Sequence, residues 1–304
     1  MSAFGRSIRD RPLLSFFLLA YAVSWAFWCP AFFASFGWID PVPARHLHLA
    51  GGLGPMVAAI VVTSLVGGQP AIARLAKRSA TGRVWIVIAV LIPAGLFLIA
   101  IAIITVFYGH AIEWANIGRS VEFPELPRLV YWLANVIFYG FGEEVGWRGF
   151  ALPRLQSHAS ALRASLVLSL GWAGWHAPLF AFSPGLSSLG LAGASGWLVS
   201  LVLGSILLTW LFNSSGGSIG AVAFFHAALD IFIGSPIAAE LPNVMGALLT
   251  VGTLLLIPVF GRQDLSRHLR VIDAASVSKE HEDQRQFSKR RQVNRSISPS
   301  MRSK

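Results

Sequence analysis

Six ionisable residues lie in three apolar stretches of this sequence. "GFGEEVGWRGF" holds Glu143, Glu144 and Arg148, "GWAGWHAPLF" holds His176, and "FFHAALD" holds His226 and Asp230. A carboxylate and a histidine together activate water as general base and general acid. A second histidine donates to the oxyanion that develops on a carbonyl under attack. Alternatively, two histidines and carboxylates bind zinc and leave a coordination position for water. Both routes end in hydrolysis of an amide or ester.

Spacing refines these roles. Helix positions four apart share a face, whereas adjacent positions diverge by about 100°. Glu144 and Arg148 therefore pair as an i, i+4 bridge, and Glu143 points elsewhere with Trp147 as its i+4 neighbour. This divides the two carboxylates into a scaffold member, Glu144, and one free for chemistry, Glu143. The bland alternative puts all three charges, hydrated, at the cytoplasmic interface. His176 precedes Pro178 by two positions. Proline disfavours helical geometry in the residue before it, so a helix ends or kinks here and leaves carbonyls near the imidazole. His226 and Asp230, four apart, share one face, so Asp230 orients the imidazole, joins it around a metal, or makes a structural link between helices.

The elements that must carry these residues are membrane helices. The chain has 304 residues, of which 55% are hydrophobic and 12% charged, against about 25% charged in soluble domains. Apolar runs near 20 residues, enough to cross a bilayer core, recur throughout. Eight candidate spans fall near 12–36, 47–68, 84–107, 127–145, 161–181, 196–213, 218–234 and 243–260. The expected fold is an all-α polytopic membrane bundle with both termini cytoplasmic. Of the 24 Lys and Arg residues, all but Arg45, Arg119 and Arg128 then fall on the cytoplasmic side, Arg148 being counted in a cytoplasmic loop, as the positive-inside rule requires. The net charge of +10 is thus a matter of topology and requires no nucleic-acid partner. The first apolar stretch is too long for a signal-peptide core and lacks a following cleavage site, so a retained first span is expected. Cys29 is the only cysteine, which leaves no intramolecular disulfide and no CxxC site. Residues 1–263 form one membrane domain, with the motif-bearing core at about 127–234. Residues 264–304 read as a basic, disordered cytoplasmic tail, too polar to offset its ordering entropy, with a possible affinity for anionic headgroups.

Placed in these spans, the six residues are costly, because a central charge costs about 2.5–3.5 kcal/mol on insertion scales. A set spread over three spans is harder to explain by packing than any single member. "GGSIG" at 216–220 matches G-x-S-x-G, but that motif acts on a strand-to-helix turn; here it reads as a loop with Ser218 as a helix N-cap. No H-E-x-x-H is present. A proton-coupled transporter would use Glu143 and the histidines as a relay and calls for repeats that are not evident. A non-catalytic scaffold or immunity protein would keep the same residues by descent, and a haem protein would need two facing histidines.

Three segments resemble the motifs of the CPBP family, which takes in the CAAX prenyl endopeptidases and bacterial proteins linked to bacteriocin processing and immunity. They are "EEVGWRGFALPRL" at 143–155, "WAGWHAPLF" at 172–180 and "HAALD" at 226–230. The family pattern is Glu-Glu-x-x-x-Arg, Phe-x-x-x-His and His-x-x-x-Asn or Asp on successive membrane helices. The resemblance implies an intramembrane endopeptidase in which Glu143 activates water with His176. It implies that His226 and Asp230 stabilise the oxyanion or, with Glu143 and His176, bind Zn2+, and that Glu144 and Arg148 support the site. This chain departs from the pattern at Trp172, where phenylalanine is usual, and carries Asp230 where many prenyl endopeptidases have Asn. An ionised Asp cannot donate to an oxyanion, so Asp230 would orient His226, ligate a metal or be protonated. The expected partners are the bilayer and a membrane-associated protein or peptide near the cytoplasmic leaflet. The expected location is the plasma membrane of a prokaryote.

Overall fold

The computed structural model describes residues 8–109 and 111–273, and every regular element among them is helical. Helix α1 is Pro12–Ser35, α2 is Ala44–Gly51, α3 is Gly54–Ser79 and α4 is Arg83–Ile103, which runs on as a π-helical turn, Ile104–Tyr108. After a loop comes a long helical run, α5, in five consecutive stretches: Arg128–Ala134, Asn135–Phe141, Gly142–Gly146, Trp147–Ala151 and Leu152–His158. Its second and fourth stretches are π-helical, a wider winding found mostly at functional sites. Helix α6 is Ala161–Trp175, α7 is Leu191–Ser214, α8 is Ile219–Ile233 and α9 is Leu241–Phe260.

Among the described residues, five helical stretches are long and apolar enough to cross a membrane: Pro12–Ser35, Ala44–Ser79, Arg83–Tyr108, Leu191–Ser214 and Leu241–Phe260. This is a polytopic helical membrane bundle. The other three candidate spans are α5, α6 and α8, which are shorter or interrupted, and they are the three that carry the ionisable residues. Helix α3 breaks at Gly68, whose φ of 60° is left-handed; without a Cβ, glycine adopts it freely.

Two sequence readings change. Arg148 is no cytoplasmic loop residue: it lies inside α5 and is 0% exposed, because the helix continues to His158 and Glu144 neutralises the guanidinium within it. Residues 264–273, grouped with the tail on composition, are packed against the body. Leu265 is fully buried, Asp264 O accepts from Asn213 Nδ2 at 2.8 Å, and Asp273 pairs with Arg154 at 2.9 Å. Ten residues with one apolar anchor and several specific hydrogen bonds gain enough from the body to order. The rest of the expected tail, from 274 on, lies outside the described residues.

Helix α5 is the axis of the bundle: every residue from Gly142 to Pro153 is buried. Small residues make that possible. A Cβ on Gly142 would sit 2.7 Å from Gly52 O, and one on Gly146 would sit 2.6 Å from Pro55 O, so α3 and α5 meet backbone to backbone, as small residues allow between membrane helices. On the other side, a Cβ on Gly140 would sit 2.6 Å from Ala223 O of α8. Side chains on α5 thereby reach α8 directly.

Candidate active site

The local expectations hold. Arg148 Nη1 donates to Glu144 Oε1 at 2.9 Å with both side chains fully buried. Trp147 Nε1 reaches Glu143 Oε2 at 3.3 Å. Ser218 caps α8, accepting from the backbone N–H of Ala221 at 3.1 Å. Helix α6 ends at Trp175, and His176 is its C-cap. His176 Nδ1 bonds Trp172 O at 2.7 Å. A carbonyl only accepts, so Nδ1 carries the proton and Nε2 of the neutral ring keeps its lone pair. His226 Nε2 lies 3.6 Å from Asp230 Oδ2, within ion-pair reach across one turn of α8.

Tertiary structure adds two links that the spacing did not reveal. Glu144 Oε1 also receives His226 Nδ1, at 2.8 Å across 82 residues. One buried carboxylate thus joins a guanidinium on its own helix to an imidazole on α8, and the scaffold role assigned to Glu144 extends to orienting His226. The second link is Trp172. Its Nε1 donates to Glu143 Oε2 at 2.6 Å, so Glu143 is clamped by two indoles. Its backbone carbonyl holds His176. Its ring meets that of His226 at 5.6 Å between centroids, near-perpendicular, and the Arg148 guanidinium lies over its face at 4.5 Å. Such a cation–π contact is worth about 2 kcal/mol when desolvated, and it meets a guanidinium whose Nε and Nη2 have no hydrogen-bond partner. Trp172 touches four of the six residues singled out above. The signal for it was the departure from phenylalanine: only an indole brings a donor to that position.

Burial grades across the site. Glu144 and Arg148 are 0% exposed, Glu143 4% and His226 8%, whereas His176 is part-exposed and the Asp230 side chain is 36% exposed. The charges are therefore paired where water is excluded, as buried charges must be.

Among the described residues no three His, Cys, Asp or Glu side chains converge on a point that could hold a metal ion. His226 Nδ1 is bonded to Glu144, His176 Nδ1 to a carbonyl, and Glu143 Oε2 to two indole N–H groups, so both rings are held in place through Nδ1. What the groups can do together is hold a carboxylate, an imidazole lone pair and an imidazole N–H around Trp172 in a largely buried site.

Comparison with known proteins agrees with the motifs. Residues 125–232 match the family model described as type II CAAX prenyl endopeptidase Rce1-like. Over 94 residues the chain is 31% identical to a protein named CAAX prenyl protease 2 from Methanococcus maripaludis. That alignment covers 29% of this chain and 34% of the relative, so the chain spans about a third of the length of the curated relative it matches. The segment matched by the family model, residues 125–232, contains all six residues.

Proposed function

We propose that this chain, whose core is of the CPBP, Rce1-like type, is an intramembrane endopeptidase acting on a membrane-associated or lipidated polypeptide. The observation that carries the reading is the meeting of Glu143, His176 and His226 around the single residue Trp172, through its indole and its backbone carbonyl. Glu143 and His176 take a proton from water as its oxygen attacks the scissile carbonyl carbon. The carbonyl oxygen becomes an oxyanion, and His226 donates to it through Nε2–H, its Nδ1–H being held by Glu144. Collapse of the tetrahedral intermediate breaks the C–N bond, and the proton taken from water passes to the leaving amine. Asp230 keeps Nε2 protonated and aimed. Glu144 and Arg148 hold the charge balance beneath. No step passes through a metal ion.

Replacing Glu143 tests this. Glu143→Gln keeps the size and the indole contact but removes the base, and turnover falls by about 10²–10⁴-fold. The readout is the set of new peptide termini in membranes of cells carrying wild-type or variant protein at matched abundance. Termini lost in the variant name the substrate. Unchanged termini with both proteins folded would favour the scaffold or immunity role instead. Dialysis of the purified protein against a chelator leaves cleavage unchanged in this reading, and loss restored by Zn2+ would refute the metal-free assignment. A prokaryotic plasma membrane is the proposed location, the relative being archaeal.

A further inference from the structure

The connections between helices gather at two ends, and their charges differ. At one end Ser218 Oγ donates to Thr81 O at 2.6 Å and the backbone N–H of Ala161 to Gln263 O at 2.8 Å. Arg154 pairs with Asp273, and Arg9, Arg11, Arg83 and Arg163 stand in or beside the same connections. At the other end the backbone N–H of Gly118 donates to Ser235 Oγ at 2.8 Å. Arg45 pairs with Glu125 at 2.6 Å, and His48 with Glu122 at 2.7 Å. This second end carries Asp40, Glu113, Glu122, Glu125 and Glu240 against Arg45, Arg119 and Arg128. The positive-inside rule makes the first end cytoplasmic and the second external.

The site lies toward the external ends of its helices. His176 directly follows the last residue of α6, whose first residue, Ala161, is at the cytoplasmic end. Asp230 is four residues from Gly234, the external C-cap of α8. From the cytoplasm the way is closed. Phe150, Leu152 and Ile219 are 1% exposed or less. Beneath them the buried amides of Gln156 and Asn213 bond each other at 2.8 Å and 3.1 Å, and residues 264–273 close over that pair. In the external direction exposure rises from Glu143 through His226 to Asp230. On that side the His48 ring is 5.5 Å from that of Tyr139 on α5. The His48–Glu122 pair stands at the external rim, 2.7 Å apart.

We infer that the site opens to the non-cytoplasmic face, and that its substrate is a polypeptide presenting the scissile bond from the external leaflet. This reverses the cytoplasmic leaflet expected from the position of the first motif beside Arg148–Arg154, because Arg148 is inside the protein. The inference rests on the proteolytic reading only where it speaks of a substrate; the direction of opening rests on topology and burial.

Labelling without turnover tests it. In a Cys29→Ser background, Glu122→Cys, Asp230→Cys and Arg163→Cys are each treated with a membrane-impermeant maleimide in right-side-out and inside-out vesicles. Glu122→Cys and Asp230→Cys label in right-side-out vesicles alone, and Arg163→Cys in inside-out vesicles alone. Labelling of Asp230→Cys from the cytoplasmic side overturns the inference, as does a swap of the rim and Arg163 patterns. Reaction of Asp230→Cys only after detergent, with each variant confirmed folded by its elution as a single species, overturns it too. None of these outcomes depends on cleavage, so loss of the proteolytic reading and loss of the external opening are told apart.

Discussion

The bundle has two kinds of helix. Helices α1, α4, α7 and α9 are long, nearly charge-free and turn large apolar side chains outward, among them Leu18, Leu91, Leu98, Val199 and Leu255. Helices α5, α6 and α8 carry every charge of the site, and α6 and α8 have only 15 residues each. The apolar helices have lipid for a solvent, and lipid accepts any aliphatic side chain about equally well. The charged helices cannot face lipid without the cost of a bare charge. They occupy the middle, where charges pair along one helix, as Glu144 with Arg148, and between helices, as Glu144 with His226. Sequence tolerance should therefore be high in the ring and low in the centre, and substitutions in the two regions measure the contrast.

The largest stability effect is expected at Arg148. Arg148→Ala leaves the Glu144 carboxylate buried beside His226 with half its partners gone, a loss of about 3–5 kcal/mol. Denaturation in detergent micelles measures it, and a loss below about 1 kcal/mol would mean that water reaches the pair. A smaller effect, on rate more than on stability, is expected at Trp172. Trp172→Phe keeps the aromatic bulk and removes one hydrogen bond to a charged group, worth about 1.5–3 kcal/mol. Turnover falls by roughly tenfold or more with KM little changed, and the variant adds nothing to the loss already caused by Glu143→Gln. An additive double variant would show that the indole acts through packing instead. The smallest effect belongs to the ring. Leu91, 62% exposed on α4, faces lipid, so Leu91→Ala changes stability by no more than about 0.5 kcal/mol. A loss as large as in a packed core would reveal a helix, or a second copy of the chain, covering that face.

Much of the site could be read before any coordinates because its links are local. Glu144–Arg148, Glu143–Trp147 and His226–Asp230 are all one helical turn apart, and period alone places them together. The end of α6 before Pro178 and the Ser218 cap likewise follow from single residues. What escaped is long-range. Glu144 to His226 spans 82 residues and Trp172 to Glu143 spans 29, and no periodicity reports such contacts. The π-helical stretches of α5 escaped for a related reason: they are set by the helices packed around Asn135–Phe141 and Trp147–Ala151. Composition misplaced residues 264–273, because a polar segment reads as tail unless its few specific partners on α5 and α7 are known.

By itself the sequence determined that this is a multi-span helical membrane protein, which three spans carry the buried ionisable residues, and which charges pair within a turn. These follow from hydrophobic length and the 3.6-residue period, both properties of a chain's own neighbourhood. Only the tertiary structure decided that Glu144 holds His226, that Trp172 joins four of the site residues, and that burial closes the site at the end of the bundle where Gln156, Asn213 and residues 264–273 lie. Each of these depends on how separate helices dock, and docking is set by close backbone approach at glycines and by polar groups that must find partners where there is no water.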